Sequence, residues 1–184
     1  GTAFEVDNSG ALVANGGQVM LTAQAASDMV GGVINMSGVI QARTVSRDAT
    51  GRIVLDAVGG DVAVSGSIEA NGAGTGLTGG HVEVLGDFIR LTEAARVDVS
   101  GISGGGSAWI GGPPGAVVSD QRANNVTIES GAVIDASAHS RGDGGTVSIW
   151  GTQEARFEGT IRNRGGEFGG DGGFVEVSSP GVLR

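Results

Sequence analysis

Three short segments of alternating apolar and polar residues recur in a fixed order, about every 28 residues, along this chain. The clearest copy occupies residues 144–172, GGTVSIWGTQEARFEGTIRNRGGEFGGDG, with segments at Val147/Ile149, Ala155/Phe157 and Ile161/Asn163. A period of two puts every second side chain on one face, which marks short strands with one buried side. A phrase that restarts before it can close a globule describes a coiled sheet, each turn burying its apolar face against the next. The expected architecture is all-β: a parallel β-helix of about six rungs, each with three short strands.

Aligned on this rung, the chain falls into three columns. First strands centre on Val19/Leu21, Ile53/Leu55, Val82/Val84, Ala108/Ile110, Val147/Ile149 and Val175/Val177. A glycine two residues ahead of each pair marks a corner, read as a turn that needs a positive φ. Second strands are Ile34/Met36, Val62/Val64, Ile89/Leu91, Val126/Ile128 and Ala155/Phe157. Third strands are Leu12/Ala14, Ile40/Ala42, Ile68/Ala70, Val97/Val99, Ile134/Ala136 and Ile161/Asn163, spaced 28, 28, 29, 37 and 27 residues apart. Insertions at 22–32 and 111–125 lengthen the same corner in two rungs, so residues 1–184 read as one β-helical segment with two projecting loops. Residues 21–30, LTAQAASDMV, have room for a short helical turn. Asn163 stands where other rungs carry an aliphatic residue, and is expected to bond a turn backbone. The pattern is already running at Gly1 and still running near Arg184, which suggests a piece of a much longer protein.

Composition narrows the function. The 37 glycines follow no Gly-X-Y period, which excludes collagen, and 39% hydrophobic residues is too apolar for a disordered chain. A net charge of -9, with eleven scattered arginines and no lysine, argues against nucleic acid and against a basic membrane-binding patch. No apolar run reaches the roughly 20 residues of a spanning helix. The absence of cysteine suits a protein that crosses a membrane unfolded.

Three groups of residues are candidates for a ligand. Outward third-strand positions align Glu69, Asp98 and Asp135 in adjacent rungs, with Arg162 next. Such a column could bind a cation or serve a polysaccharide lyase or hydrolase as acid and base, or it could be a solvated face that discourages edge pairing. Trp109 and Trp150 fall on neighbouring outward positions and could form a platform for sugar rings, unless the 111–125 loop folds back over them. Arg141-Gly142-Asp143 spells a receptor tripeptide on a glycine-rich corner, a match that chance also supplies in such a chain. GGEFGGDGG at 165–173 lacks the tandem spacing of a calcium nonapeptide, and His81 and His139 lie on separate corners. No catalytic set, metal site or cofactor motif is read.

GSIEANG at 66–72, GAVIDASA at 131–138, GDGGTVSIWG at 142–151 and GTIRNRGGEFGGDGGFVEVS at 159–178 resemble the repeats of filamentous-haemagglutinin-type exoproteins of the two-partner secretion family. The resemblance implies a right-handed parallel β-helix in a large secreted adhesin, located outside the cell or on the bacterial surface. It further implies export through a dedicated outer-membrane transporter. Cell-surface glycans, exopolysaccharide or a host receptor would then be the partners, in adhesion or biofilm attachment. The chain departs from the family's secretion domain in lacking a recognisable N-terminal cap and asparagine-rich signature motifs. It therefore reads as the end of that domain or as shaft beyond it. Two alternatives remain: a β-helical carbohydrate-active enzyme using the acidic column, and the passive shaft of a contact-dependent toxin delivery protein.

Overall fold

The computed structural model describes residues 4–23, 32–115 and 122–184, and the chain is built from strands. In order they begin with β1 (Phe4–Asn8), β2 (Ala11–Val13), β3 (Gln18–Thr22), β4 (Gly32–Met36), β5 (Val39–Gln41) and β6 (Arg52–Val64). Then come β7 (Ser67–Glu69), β8 (His81–Leu91), β9 (Arg96–Asp98), β10 (Ser107–Ile110), β11 (Asn125–Ile128) and β12 (Val133–Asp135). The last five are β13 (Thr146–Trp150), β14 (Glu154–Phe157), β15 (Thr160–Arg162), β16 (Phe174–Ser178) and β17 (Val182–Leu183). All the ladders between these strands are parallel, and the chain winds as a β-solenoid of about six turns with a repeat of about 28 residues.

The third-strand column forms its own six-stranded sheet, ordered β15-β12-β9-β7-β5-β2. Its register stacks Leu12, Ile40, Ile68, Val97, Ile134 and Ile161, as the alternation predicts. First and second strands share the other, eleven-stranded sheet. There Ile53, Val82, Ala108, Val147 and Val175 stack in one row, and Val62, Ile89, Val126 and Ala155 in another. Inward side chains from the two sheets meet in a dry core: Ile40, Ile53, Ile68, Val82, Ile134 and Val147 are all fully buried.

Four features differ from the repeat pattern or extend it. In two rungs the first and second strands are one continuous strand, β6 and β8, rather than two separated by a corner. The register slips between Ala57 and Asp61, where β6 carries two more residues than β8 and Gly59 takes a φ of 65°, so a bulge replaces a turn. β1 and β17 also pair into the second-strand rows, Val6 beside Ile34 and Leu183 beside Ala155, two strands that the column alignment did not include. From Gly51 onward the glycine column ahead of the first strands is there for close approach, not for positive φ, while Gly17 has only ordinary contacts. A Cβ on Gly145 would lie 1.9 Å from the Gly106 carbonyl oxygen, and one on Gly80 2.2 Å from that of Gly51, so only a bare backbone lets the rungs stack. Finally, half-buried Asn163 donates from Nδ2 to the carbonyls of Gly145 and Phe174, both at 3.0 Å, tying the corner between two rungs.

Of the residues with room for a helical turn, Leu21 and Thr22 belong to β3 and residues 24–30 lie outside the described residues. The 22–32 and 111–125 insertions likewise fall partly outside them. Among the described residues no helix is long and apolar enough to cross a membrane.

Candidate functional site

The outward face of the first-strand rows carries the densest polar and aromatic cluster. Strands β8, β10, β13 and β16 place Glu83, Trp109, Ser148 and Glu176 side by side in one outward row. Trp109 thus pairs with Ser148, and Trp150 lies two residues along the same face, as the alignment predicts. Neither indole is bare. The Trp109 ring meets the His81 ring edge-on, centroids 4.4 Å apart at 82°. The Arg122 guanidinium, from the long corner, lies 3.9 Å over the Trp150 ring, in cation–π contact.

Glu176 ties this corner to the sheet. It accepts hydrogen bonds from Trp150 Nε1 at 3.0 Å, the Gly115 N–H at 2.7 Å and Ser178 Oγ at 2.8 Å. Burial acts to raise its pKa, but these three donors and the Arg122 charge outweigh it, and the net shift is downward. Ser148, outward between the tryptophans, is fully buried, and its hydroxyl has no partner among the described residues, so this part of the face is roofed.

At the other end of the row, Glu83 lies 3.0 Å from Arg52 Nη2 and 3.7 Å from His81 Nε2. The His81 contact, opposed by burial and aided by the two nearby charges, holds the Glu83 carboxyl below its usual range. Asp56 is shifted the other way, by burial first and then by the Glu83 charge.

The acidic column forms in register: Glu69 beside Asp98, Asp98 beside Asp135, Asp135 beside Arg162. Each carboxylate is engaged within the fold. Glu69 pairs with Arg43 at 2.6 Å. Asp98 accepts from Asn71 Nδ2 at 2.6 Å, from the Ser100 N–H at 2.9 Å and from Ser100 Oγ at 2.6 Å. Asp135 accepts from the Ser137 N–H at 2.9 Å and lies 3.9 Å from Arg162 Nη1. A residue two places on along the chain caps Asp98 and Asp135 in the same way, an Asx-type turn repeated from rung to rung. The column offers stacked, partnered carboxylates rather than an acid and a base held apart over a substrate.

Arg141 and Asp143 are exposed on their corner, and Gly142 takes a φ of 90°. The tripeptide is stitched into the next rung: the Gly142 N–H donates to Gly169 O at 2.8 Å, and Asp143 Oδ1 accepts the Asp171 N–H, also at 2.8 Å. Among the described residues no group of three His, Asp or Glu is placed to hold a metal ion.

Sequence reasoning missed Arg122 and Glu176. Glu176 was legible, since GGFVEV places it in the outward row beside Ser148. Arg122 was not, because an insertion has no register to align.

Fold and surface define a parallel β-solenoid whose polar outer face is largely partnered within itself. In three dimensions the chain is similar to the HMW1 secretion domain from Haemophilus influenzae, known from a crystal structure, with a TM-score of 0.81. The two are 30% identical, and the alignment covers 98% of this chain and 45% of that one. The resemblance to secreted exoproteins carried by the repeats therefore has a structural counterpart, a domain whose role is secretion. No family model matches the chain, and no curated protein matches it.

Proposed function

We propose that this chain is a β-helical part of the secretion domain of a large secreted bacterial adhesin, recognised and exported by an outer-membrane two-partner transporter. The observation that carries this proposal is the likeness to the HMW1 secretion domain over 98% of the chain. The architecture suits the task. Each rung buries its apolar face on the one before it, so a chain emerging unfolded from a pore can fold turn by turn. The absence of cysteine means that no disulfide has to form or break on the way.

Adhesive contact falls on the half-exposed Trp109/Trp150 face, where indole surface beside Arg122 can receive a sugar ring. An enzymatic role for the acidic column is disfavoured, because Glu69, Asp98 and Asp135 are already satisfied within the fold.

Export tests the central proposal. The chain, preceded by a periplasmic targeting signal, is expressed with and without an outer-membrane two-partner transporter. Appearance in the medium only with the transporter is the expected result. Retention in the periplasm in both cases, or release in both, overturns it.

A further inference from the structure

A second polar site lies away from the tryptophan face, where the corners of the last two complete rungs meet. β12 and β15 place Asp135 beside Arg162. The chain then turns through Ser137, Ala138 and His139 in one rung and through Arg164, Gly165 and Glu167 in the next, and all of these residues line one cleft of about 620 Å³. That volume lies within the range of ligand-binding clefts.

The cleft walls are laddered together by backbone hydrogen bonds, Ala138 N–H to Arg164 O at 2.8 Å and Glu167 N–H to His139 O at 3.3 Å. Ser137 Oγ accepts the Arg164 N–H at 3.3 Å. The polar side chains facing the cleft therefore rise from a fixed floor.

Partnering within the cleft is uneven. Asp135 is held by the Ser137 N–H, and its contact with Arg162 is long at 3.9 Å, which leaves guanidinium donors of Arg162 available. The side chains of His139, Arg164 and Glu167 make no hydrogen bond or ion pair among the described residues. In the same outward column, Glu69, Asp98 and Asp135 all have close partners. Here, beside the Asp135 and Glu167 carboxylates, two guanidinium groups with donors unbonded among the described residues face one concavity.

We propose that this cleft binds an acidic sugar unit, a uronate, of a surface or matrix polysaccharide. The ligand carboxylate is taken by Arg164 and Arg162, whose planar forks match a carboxylate in two-point contact. Glu167 and His139 face the ring hydroxyls, with Glu167 accepting their hydrogen bonds. A carboxylate alone would leave Glu167 facing like charge, and a neutral sugar would leave the two guanidinium groups unused. Only a ligand with both a carboxylate and hydroxyl donors uses all four side chains. The site is separate from the Trp109/Trp150 face, and its failure leaves the export proposal standing.

The test uses tetragalacturonate as probe and maltotetraose as its neutral counterpart, titrated into the 15N-labelled chain. Expected are saturable amide shifts confined to residues 137–141 and 164–168 with tetragalacturonate and not with maltotetraose. Affinity should fall tenfold or more in Arg164→Gln and stay unchanged in Arg47→Gln, which removes the same charge at an exposed position on another corner. Four outcomes overturn the proposal: no saturable shifts in wild type at millimolar probe, shifts spread over the whole surface, equal binding of maltotetraose, or equal loss in both variants. Because the exposed Arg164 side chain makes no hydrogen bond or ion pair among the described residues, Arg164→Gln is expected to melt with wild type, so lost binding is not lost structure.

Discussion

Truncating Ile134 to alanine tests whether stacking, and not the sequence pattern alone, holds the solenoid together. Ile134 is fully buried in β12, flanked in register by Val97 on one side and Ile161 on the other. Removing its outer carbons leaves a cavity that neither neighbour can fill without leaving its own row. A fully buried Ile→Ala change costs about 2–5 kcal/mol, and the two-sided stack places this one near the middle, about 3 kcal/mol. Leu12 is the matched control: the same column and the same alternation, but at the end of the sheet with Ile40 alone beside it and 36% exposed. Leu12→Ala, which loses less burial and opens no closed cavity, should cost less than about 1.5 kcal/mol. Urea unfolding followed by far-ultraviolet circular dichroism and by tryptophan fluorescence checks both. Trp109 begins the rung that Ile134 ends, so the fluorescence transition should move with the Ile134 change and hardly with the Leu12 change. Equal destabilisation by the two substitutions would refute the assignment of a two-sided core to the middle rungs.

Gly145→Ala should destabilise the chain by about 2–3 kcal/mol, since its Cβ would meet the Gly106 carbonyl at 1.9 Å, whereas Gly10→Ala, with open space around it, should change stability by less than about 0.5 kcal/mol. Thermal melting of both variants decides it, and similar melts would mean that the glycine column is not there for close approach. Glu176 has its pKa lowered in the folded chain, so the stability it contributes is complete above its ordinary value of 4.5 and is lost as pH falls through the lowered one. The stability advantage of wild type over Glu176→Gln should therefore shrink on acidification below that value, and a pH-independent difference would count against the Glu176 tie. On a glycan array, the Trp109→Ala/Trp150→Ala double variant should lose the binding made by the outward face; binding that survives would remove the tryptophans from the contact.

Most of the fold could be read before any coordinates, because a solenoid converts one-dimensional spacing directly into three-dimensional register. Aligning the third strands on Ile40, Ile68 and Ile134 names the residues that touch, since parallel strands stacked without slippage keep like positions together. The same logic placed Glu69, Asp98 and Asp135 in one column and Trp109 beside Ser148. It failed at two places where the period was interrupted. The bulge at Gly59 merged two expected strands into β6, and Arg122 came from an insertion whose path no spacing can give.

By itself, the amino-acid sequence determined the period, the inward face of each strand and the order in which rungs stack, because alternation and repeat length are local properties of the chain. The tertiary structure alone decided whether outward groups are free or engaged. Asp98 lies in the same outward column as Arg162, yet one is capped on every side and the other keeps donors for a cleft. Trp150, read either as part of a platform or as covered by the 111–125 loop, lies beneath Arg122 and donates its indole N–H to Glu176. Those differences arise from side chains that reach across rungs and from corners that fold back. Such contacts depend on distances in space that the repeat does not encode.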